Sequence, residues 1–179
     1  GEGAVMASEV RSLVFGDDES AGADVAWLWV ASQHWPDWQV RVVRAQRPRA
    51  ESAVSPEEAR LHPSSPAHPR HLFAEAGAEI SHWEAVGDPR AVLAGCRCDL
   101  LVVGSRGRGL MKALHIGSTT EWLMHDPPAP LLIARHGRSV RRVLVCADGS
   151  ADAGAAQQAL LAMPWLPHCS VTVLTVPEE

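Results

Sequence analysis

Three observations predict an α/β fold built on a doubly wound parallel sheet. Short apolar runs alternate along the chain with stretches of helical spacing. One of these runs, Leu100-Leu101-Val102-Val103, is continuously apolar, as a central strand covered on both faces must be, and it stops at Gly104. The first run, Leu13-Val14-Phe15, leaves through the polar turn Gly16-Asp17-Asp18-Glu19-Ser20 into a helical stretch, the order of a β-α-β unit.

Taken in order, Ser20 is placed to cap a helix from Ala21 to about Gln33, in which Ala21, Val25, Leu28 and Trp29 fall at helical spacing and Pro36 lies beyond the end. A second strand follows at about Gln39 to Arg44. Residues 47–70 carry five prolines among Ser, Arg, Glu and His, and read as a mobile surface loop with a short helical turn at Pro56 to Leu61 and nothing of the core. Glu79 to Val86 is a strand, and Gly87-Asp88-Pro89 opens a helix running to about Ala94, with proline in its first turn. After the Leu100 strand and a glycine-rich loop, Ser118 to His125 is helical, Pro127 and Pro128 close it, and Leu131 to Ala134 forms a further strand.

The plan then begins again. A strand at Val143-Leu144-Val145, an Asp-x-Ser turn at Asp148 and Ser150, an alanine-rich helix to Met163 and an alternating strand at Val171, Val173 and Leu174 repeat the order of residues 11–43. Asp18 and Asp148, Ser20 and Ser150, and Trp35 and Trp165 each stand 130 residues apart. That period is the size of one α/β domain, so the chain reads as one complete unit at 11–136 and, at 137–179, a linker with the β-α-β start of a second. An isolated β-α-β piece has open edges and half a core, so it is expected to pack on the first unit or on another chain. Residues 1–5 ahead of Met6 read as a remnant outside the fold, and 1–10 as a tail.

The 179 residues are 46% hydrophobic and 21% charged, ordinary for a globular protein able to bury a core. A formal charge of −5 excludes a general nucleic-acid binder, which needs a basic face. The longest clean apolar stretch, Val25 to Ala31, is far below the roughly 20 residues of a membrane-spanning helix, so the expectation is a cytoplasmic protein with no membrane partner. Cys96, Cys98, Cys146 and Cys169 lack disulfide-framework or paired zinc spacing, and reduced thiols are expected.

The chemistry concentrates after the Leu100 strand. Open α/β sheets bind ligands at the carboxyl ends of their strands, and here Val103-Gly104-Ser105-Arg106-Gly107-Arg108-Gly109 leaves such an end. Further on stands Gly117-Ser118-Thr119-Thr120 at a helix N-terminus, whose amides and dipole favour an anion. Ser118 to Glu121 also fits a capping box. Arg106, Arg108 and Lys112, the only lysine in the chain, make this field positive. A Walker loop is excluded because Leu110-Met111 follow Gly109 where Lys and Ser or Thr are required, and the turn after the first strand lacks GxGxxG, which excludes a dinucleotide fold.

The spacing G-x2-G-x9-G-S/T formed by Gly104, Gly107, Gly117 and Ser118, with the strand Asp99 to Val103, Gly87-Asp88-Pro89 and Asp18, resembles the nucleotide-binding motif of the universal stress protein family. The resemblance covers roughly residues 11–136, and 141–176 resembles the start of a second copy, as in tandem members. It implies a five-stranded parallel sheet, ATP binding, with AMP or ADP as alternatives and Mg2+ accompanying the nucleotide, and pairing of two copies or tandem domains through the strand near Leu131. Carried over by motif, Asp18 faces the ribose or adenine, Val42 lines the adenine pocket and Val103 flanks the base, and Gly16 and Asp17 are counted with Asp18 among the nucleotide-binding residues. Gly104, Arg106, Gly107, Arg108, Gly117, Ser118, Thr119 and Thr120 hold the phosphates. Asp17 and Glu19 beside Asp18 depart from the family pattern and add negative charge.

Simpler roles stand beside these. Asp18 can cap a helix together with Ser20. His62, His68 and His71 are too irregular for a metal site, Cys96-Arg97-Cys98 strains a local disulfide, and the seven tryptophans serve core and interface packing. No catalytic residue and no metal ligand is assigned. The expected function is a nucleotide-responsive regulatory module in a stress response, the alternatives being a slow ATPase or phosphotransferase, with His115 near the loop but no placed nucleophile, and a nucleotide-free assembly scaffold.

Overall fold

A computed structural model describes residues 10–47, 60–64, 77–105 and 116–175. The expectations for the N-terminal remnant, the turn at Pro56 to Leu61 before Arg60, His68, His71, Arg106, Gly107, Arg108, Lys112 and His115 fall outside them.

The main sheet holds β1 (Arg11–Gly16), β2 (Trp38–Gln46), β3 (His62–Pro63), β4 (Glu79–Val86), β5 (Leu100–Gly104) and β6 (Leu131–Ala134) in the order β3-β4-β2-β1-β5-β6. Five strands are parallel, and β3 alone runs antiparallel, pairing His62 with Glu84 and Pro63 with Trp83. The predicted α/β architecture is present, with one addition. The proline-rich stretch contributes this two-residue edge strand, and Leu61 packs against the core, so that segment is more than surface loop. Its prolines hid the pairing, and an edge strand tolerates them because it need not donate along its whole length.

Strand alternation divides the core into two layers. Leu13, Phe15, Val40, Val42, Leu100 and Val102 face α1 (Ala21–Ser32), whereas Val14, Val43, Leu101 and Val103 face Leu93 of α2 (Pro89–Ala94) and Leu123 of α3 (Ser118–His125). The stripe that α1 buries is Ala23, Ala26, Trp27 and Val30, at i, i+3, i+4 and i+7, together with Trp29. Leu28, counted in the sequence stripe, is 56% exposed; a helix apolar almost all round does not reveal its buried face from spacing alone. Ser20 caps α1, its Oγ accepting the Ala23 N–H at 3.1 Å. Asp88 caps α2 in the same way through the Arg90 N–H at 2.9 Å, with Pro89 in the first turn.

The C-terminal segment forms β7 (Arg142–Ala147), α4 (Ala151–Leu161), a 3-10 turn at Leu166–His168 and β8 (Ser170–Thr175), with β7 and β8 paired parallel in a separate two-stranded sheet. It packs on the main core through Met163 and Trp165, whose ring meets Trp29 edge-on at 6.0 Å. Gln33 fastens the connecting segment, its side chain accepting from the Val140 N–H and donating to the Arg138 carbonyl. Five tryptophans, Trp27, Trp29, Trp35, Trp38 and Trp165, are buried in this shared core, while Trp122 lies exposed on α3. The other face of the small sheet stays bare: Leu144 and Leu174 are 61% and 52% exposed.

Candidate functional site

The chain passes from β1 to β2 and β4 on one side, then returns to β5 and β6 on the other, so β1 and β5 are neighbours whose connections diverge. Such a switch point opens a crevice at the carboxyl ends of the strands. A cleft of about 570 Å³ lies there, within the range of small-molecule sites. Gly16 and Gly104, ending β1 and β5, form its floor, with Asp17, Asp18 and Glu19 along one wall and Gly117 to Thr120 along another.

Of the residues named from sequence, Gly16, Asp17, Asp18, Val103, Gly104, Gly117, Ser118, Thr119 and Thr120 all line this cleft. Arg106, Gly107 and Arg108 lie outside the described residues. Val42 is not in the lining. It packs toward α1 in the opposite layer, and its neighbour Val43 lines the cleft instead. Side chains alternate along a strand, so an error of one residue changes the face. Sequence reasoning also missed Arg44, Gln46 and Arg47 from β2 and beyond it, and Pro89 and Leu93 from α2. The strand was read as ending at Arg44, but it continues to Gln46 and carries those side chains to the rim.

The acidic turn is held by its own backbone. The Asp17 N–H donates to the Val43 carbonyl at 2.9 Å, tying β1's exit to β2, and the buried Asp17 carboxylate accepts the Glu19 N–H at 2.9 Å. Asp18 Oδ1 accepts the Ser20 N–H at 3.1 Å, so this carboxylate does shape the turn as well as line the cleft. Glu19 sits in the left-handed region at φ 57° and pairs with Arg44 at 2.6 Å; Arg44 also reaches Glu84 at 3.2 Å. The turn before α4 is built alike: Asp148 Oδ1 accepts the Ser150 N–H at 2.9 Å, Ser150 Oγ accepts the Ala153 N–H at 3.1 Å, and Gly149 takes φ 82°.

At the opposite wall, Gly117 rather than Ser118 is the cap residue of α3, and no side chain caps this helix, so the capping box expected at Ser118 to Glu121 is not formed. The Gly117 N–H donates to the Ser105 carbonyl at 2.9 Å, which moves the helix start one residue forward of the box and places Ser118 already inside the first turn. Thr120 is spoken for: its hydroxyl donates to the Gly104 carbonyl at 2.9 Å, tying α3 to the end of β5. An uncapped helix N-terminus lining a cleft is chemically suited to an anionic group.

His82, on β4 beside Val42, carries a pKa pushed below its ordinary value chiefly by burial, with the Asp17 charge opposing that shift. The unfolded chain therefore takes up the proton first as pH falls, and stability present above about 6.5 is lost through the window below it. Urea unfolding at a series of pH values should show this slope, and His82→Asn should flatten it. Cys96 and Cys98 are free thiols whose pKa values burial raises, Cys98 to about 11, which makes them poor nucleophiles.

No helix of the described residues is long and apolar enough to cross a membrane. Among curated proteins none matches this chain. Among solved structures, a universal stress protein from Archaeoglobus fulgidus DSM 4304 is similar over 96% of this chain and 69% of its own, with a TM-score of 0.63 at 18% identity. The universal stress protein UspA from Lactobacillus plantarum is similar over 70% of this chain and 98% of its own, with a TM-score of 0.53 at 15% identity. At such identities the likeness concerns the fold, but the sequence itself is matched over residues 9–135 by the model of the universal stress protein family. By that match, which takes in all five parallel strands of the main sheet and both walls of the cleft, the chain belongs to the universal stress protein family.

Proposed function

We propose that this protein binds an adenine nucleotide, ATP with AMP or ADP as alternatives, and acts as a nucleotide-responsive regulatory module of the stress response in the cytoplasm. One observation carries this reading: nine of the sequence-named residues converge on a single cleft at the strand switch point, between an uncapped helix N-terminus and a carboxylate-lined turn. The phosphates would lie against Gly104 and the α3 turn, where Gly117, Ser118 and Thr119 offer backbone and hydroxyl donors. Asp18 would accept bonds from ribose hydroxyls, and Val43 and Val103 would supply apolar wall for the base. Mg2+, where it accompanies ATP, would offset phosphate charge beside the acidic turn. Arg106, Gly107 and Arg108 complete the phosphate loop in this proposal.

The repeated Asp-x-Ser turn supports reading residues 11–136 as a complete domain and 137–179 as a linker and partial second copy, the tandem arrangement. Pairing of copies or domains would use β6, which forms one edge of the main sheet. A slow ATPase or phosphotransferase remains the enzymatic alternative, and phosphate release over time separates it from the regulatory reading. An assembly role is the second reading, favoured by the bare apolar face of the β7–β8 sheet.

The test is to denature purified protein, identify any released nucleotide by chromatography, and titrate stripped protein with ATP and Mg2+. Stoichiometric binding is expected. Gly117→Val should lower affinity at least tenfold in a folded protein, because its β-branched side chain would occupy the approach to the α3 amides, an effect of about 1.4 kcal/mol or more. Unchanged affinity in that variant would remove the site, and no binding by folded wild type would leave assembly as the function.

A further inference from the structure

The cleft's acidic wall contains a residue that its own repeat does without. The turns before α1 and α4 share the same hydrogen bonds, yet the left-handed position is filled by glycine at Gly149 and by Glu19 in the cleft. Glycine takes this backbone conformation freely, whereas a residue with a Cβ is strained there, and such strain at a site edge points to use of the side chain. The Glu19 carboxylate accepts from Arg44 Nη1 at 2.6 Å, and the other face of that guanidinium is taken by Glu84 at 3.2 Å, which Gln46 also contacts. Arg44 is thus a cation on the cleft wall already engaged by two carboxylates, and Asp17, Asp18 and Arg47 are the other charged residues of the described lining.

A phosphate chain entering this cleft meets an uncapped helix N-terminus ahead and a wall of carboxylates beside it. The repulsion grows with each charge on the ligand, while the attraction that Arg44 could offer is cancelled. We propose that Glu19 is a specificity-determining residue that makes the cleft a charge filter, admitting a nucleotide of low net charge, AMP or Mg2+-neutralised ATP, and disfavouring metal-free ATP. This rests on the nucleotide reading given above and names which charge state of the ligand that site accepts.

Two variants separate charge from backbone strain. Glu19→Gly removes the carboxylate and suits φ 57°, so the turn is retained; Glu19→Gln removes the charge and keeps a strained side chain of the same size. Affinities for AMP, for ATP in EDTA and for ATP with excess Mg2+ are measured by calorimetry on the full chain at low salt. Wild type is expected to bind AMP more tightly than metal-free ATP and to regain ATP on adding Mg2+. Both variants are expected to raise the ratio of metal-free ATP to AMP affinity about fivefold, with the gain shrinking at high salt. An unchanged ratio in both variants, or a rise in Glu19→Gly alone, overturns the charge filter while leaving nucleotide binding intact. No binding of any nucleotide by folded wild type or variants removes the nucleotide reading itself, and the filter with it.

Discussion

Replacing Gly104 by alanine is expected to destabilise the protein by at least about 1–3 kcal/mol and to weaken nucleotide binding with it. A Cβ at this position would stand 2.5 Å from the Gly22 carbonyl oxygen, 2.6 Å from its carbonyl carbon and 3.0 Å from the Ala23 nitrogen. These are backbone atoms in the first turn of α1, which cannot rotate aside as a side chain does. Relief requires α1 to move off β5, and α1 begins directly after the Asp17 to Ser20 turn that walls the cleft. The Gly104 carbonyl also receives the Thr120 hydroxyl, so both walls are referred to this one residue. Gly16→Ala is the informative comparison, because it too lines the cleft floor but its added Cβ would meet only side-chain carbons, Leu93 Cδ1 at 3.0 Å and Val103 Cγ1 at 3.3 Å. Side-chain ends can give by a few tenths of an ångström, so the smaller loss is expected at Gly16. Urea unfolding of both variants decides the matter, and equal losses would sink the account based on close backbone approach.

The legible parts of this fold were those in which a single local signal determines the outcome. Continuous apolarity marked β5, Gly87-Asp88-Pro89 marked the start of α2, and paired prolines marked the end of α3; each signal acts through backbone geometry within a few residues. Glycine spacing marked Gly104 and Gly117, which line the cleft, because close approach leaves few residue types to choose from. What escaped depended on partners distant in sequence. The His62–Pro63 strand exists because β4 offers it an edge, and the helix start at Gly117 is set by a bond to Ser105 twelve residues earlier. Val42 and Val43 are chemically identical, and only the register of β2 against β1, which aligns Phe15 with Val42 and Gly16 with Val43, decides which of them meets the cleft. Arg44 could have been suspected from the acidic turn alone, since three successive carboxylates at a strand end need a counter-charge, but nothing local says which arginine supplies it.

Trp165→Ala is expected to cost about 3–5 kcal/mol, a large share of the roughly 5–15 kcal/mol by which folded domains are held. Trp165 is 7% exposed, yet it belongs to the C-terminal segment beyond the matched family region, and it stands edge-on to Trp29 of α1 at an interplanar angle of 89°. Trp29 also meets Trp35, at 5.9 Å, so both members of the residue pair that stands 130 positions apart in sequence contact one indole of the main core. Deleting the ring therefore opens a cavity between the two sheets rather than within either. Trp165→Phe should cost much less than alanine, because it keeps an aromatic edge and removes an indole N–H that finds no acceptor among the described residues. Hydrogen exchange locates the damage: if the segment from β7 to β8 is a partial second domain anchored by this side chain, its amides lose protection in Trp165→Ala while β1 and β5 keep theirs. Uniform loss across both sheets would mean instead that the C-terminal segment and the cleft-bearing domain unfold as one cooperative body, and the division at residue 136 would then describe ancestry of sequence rather than a boundary in the folded protein.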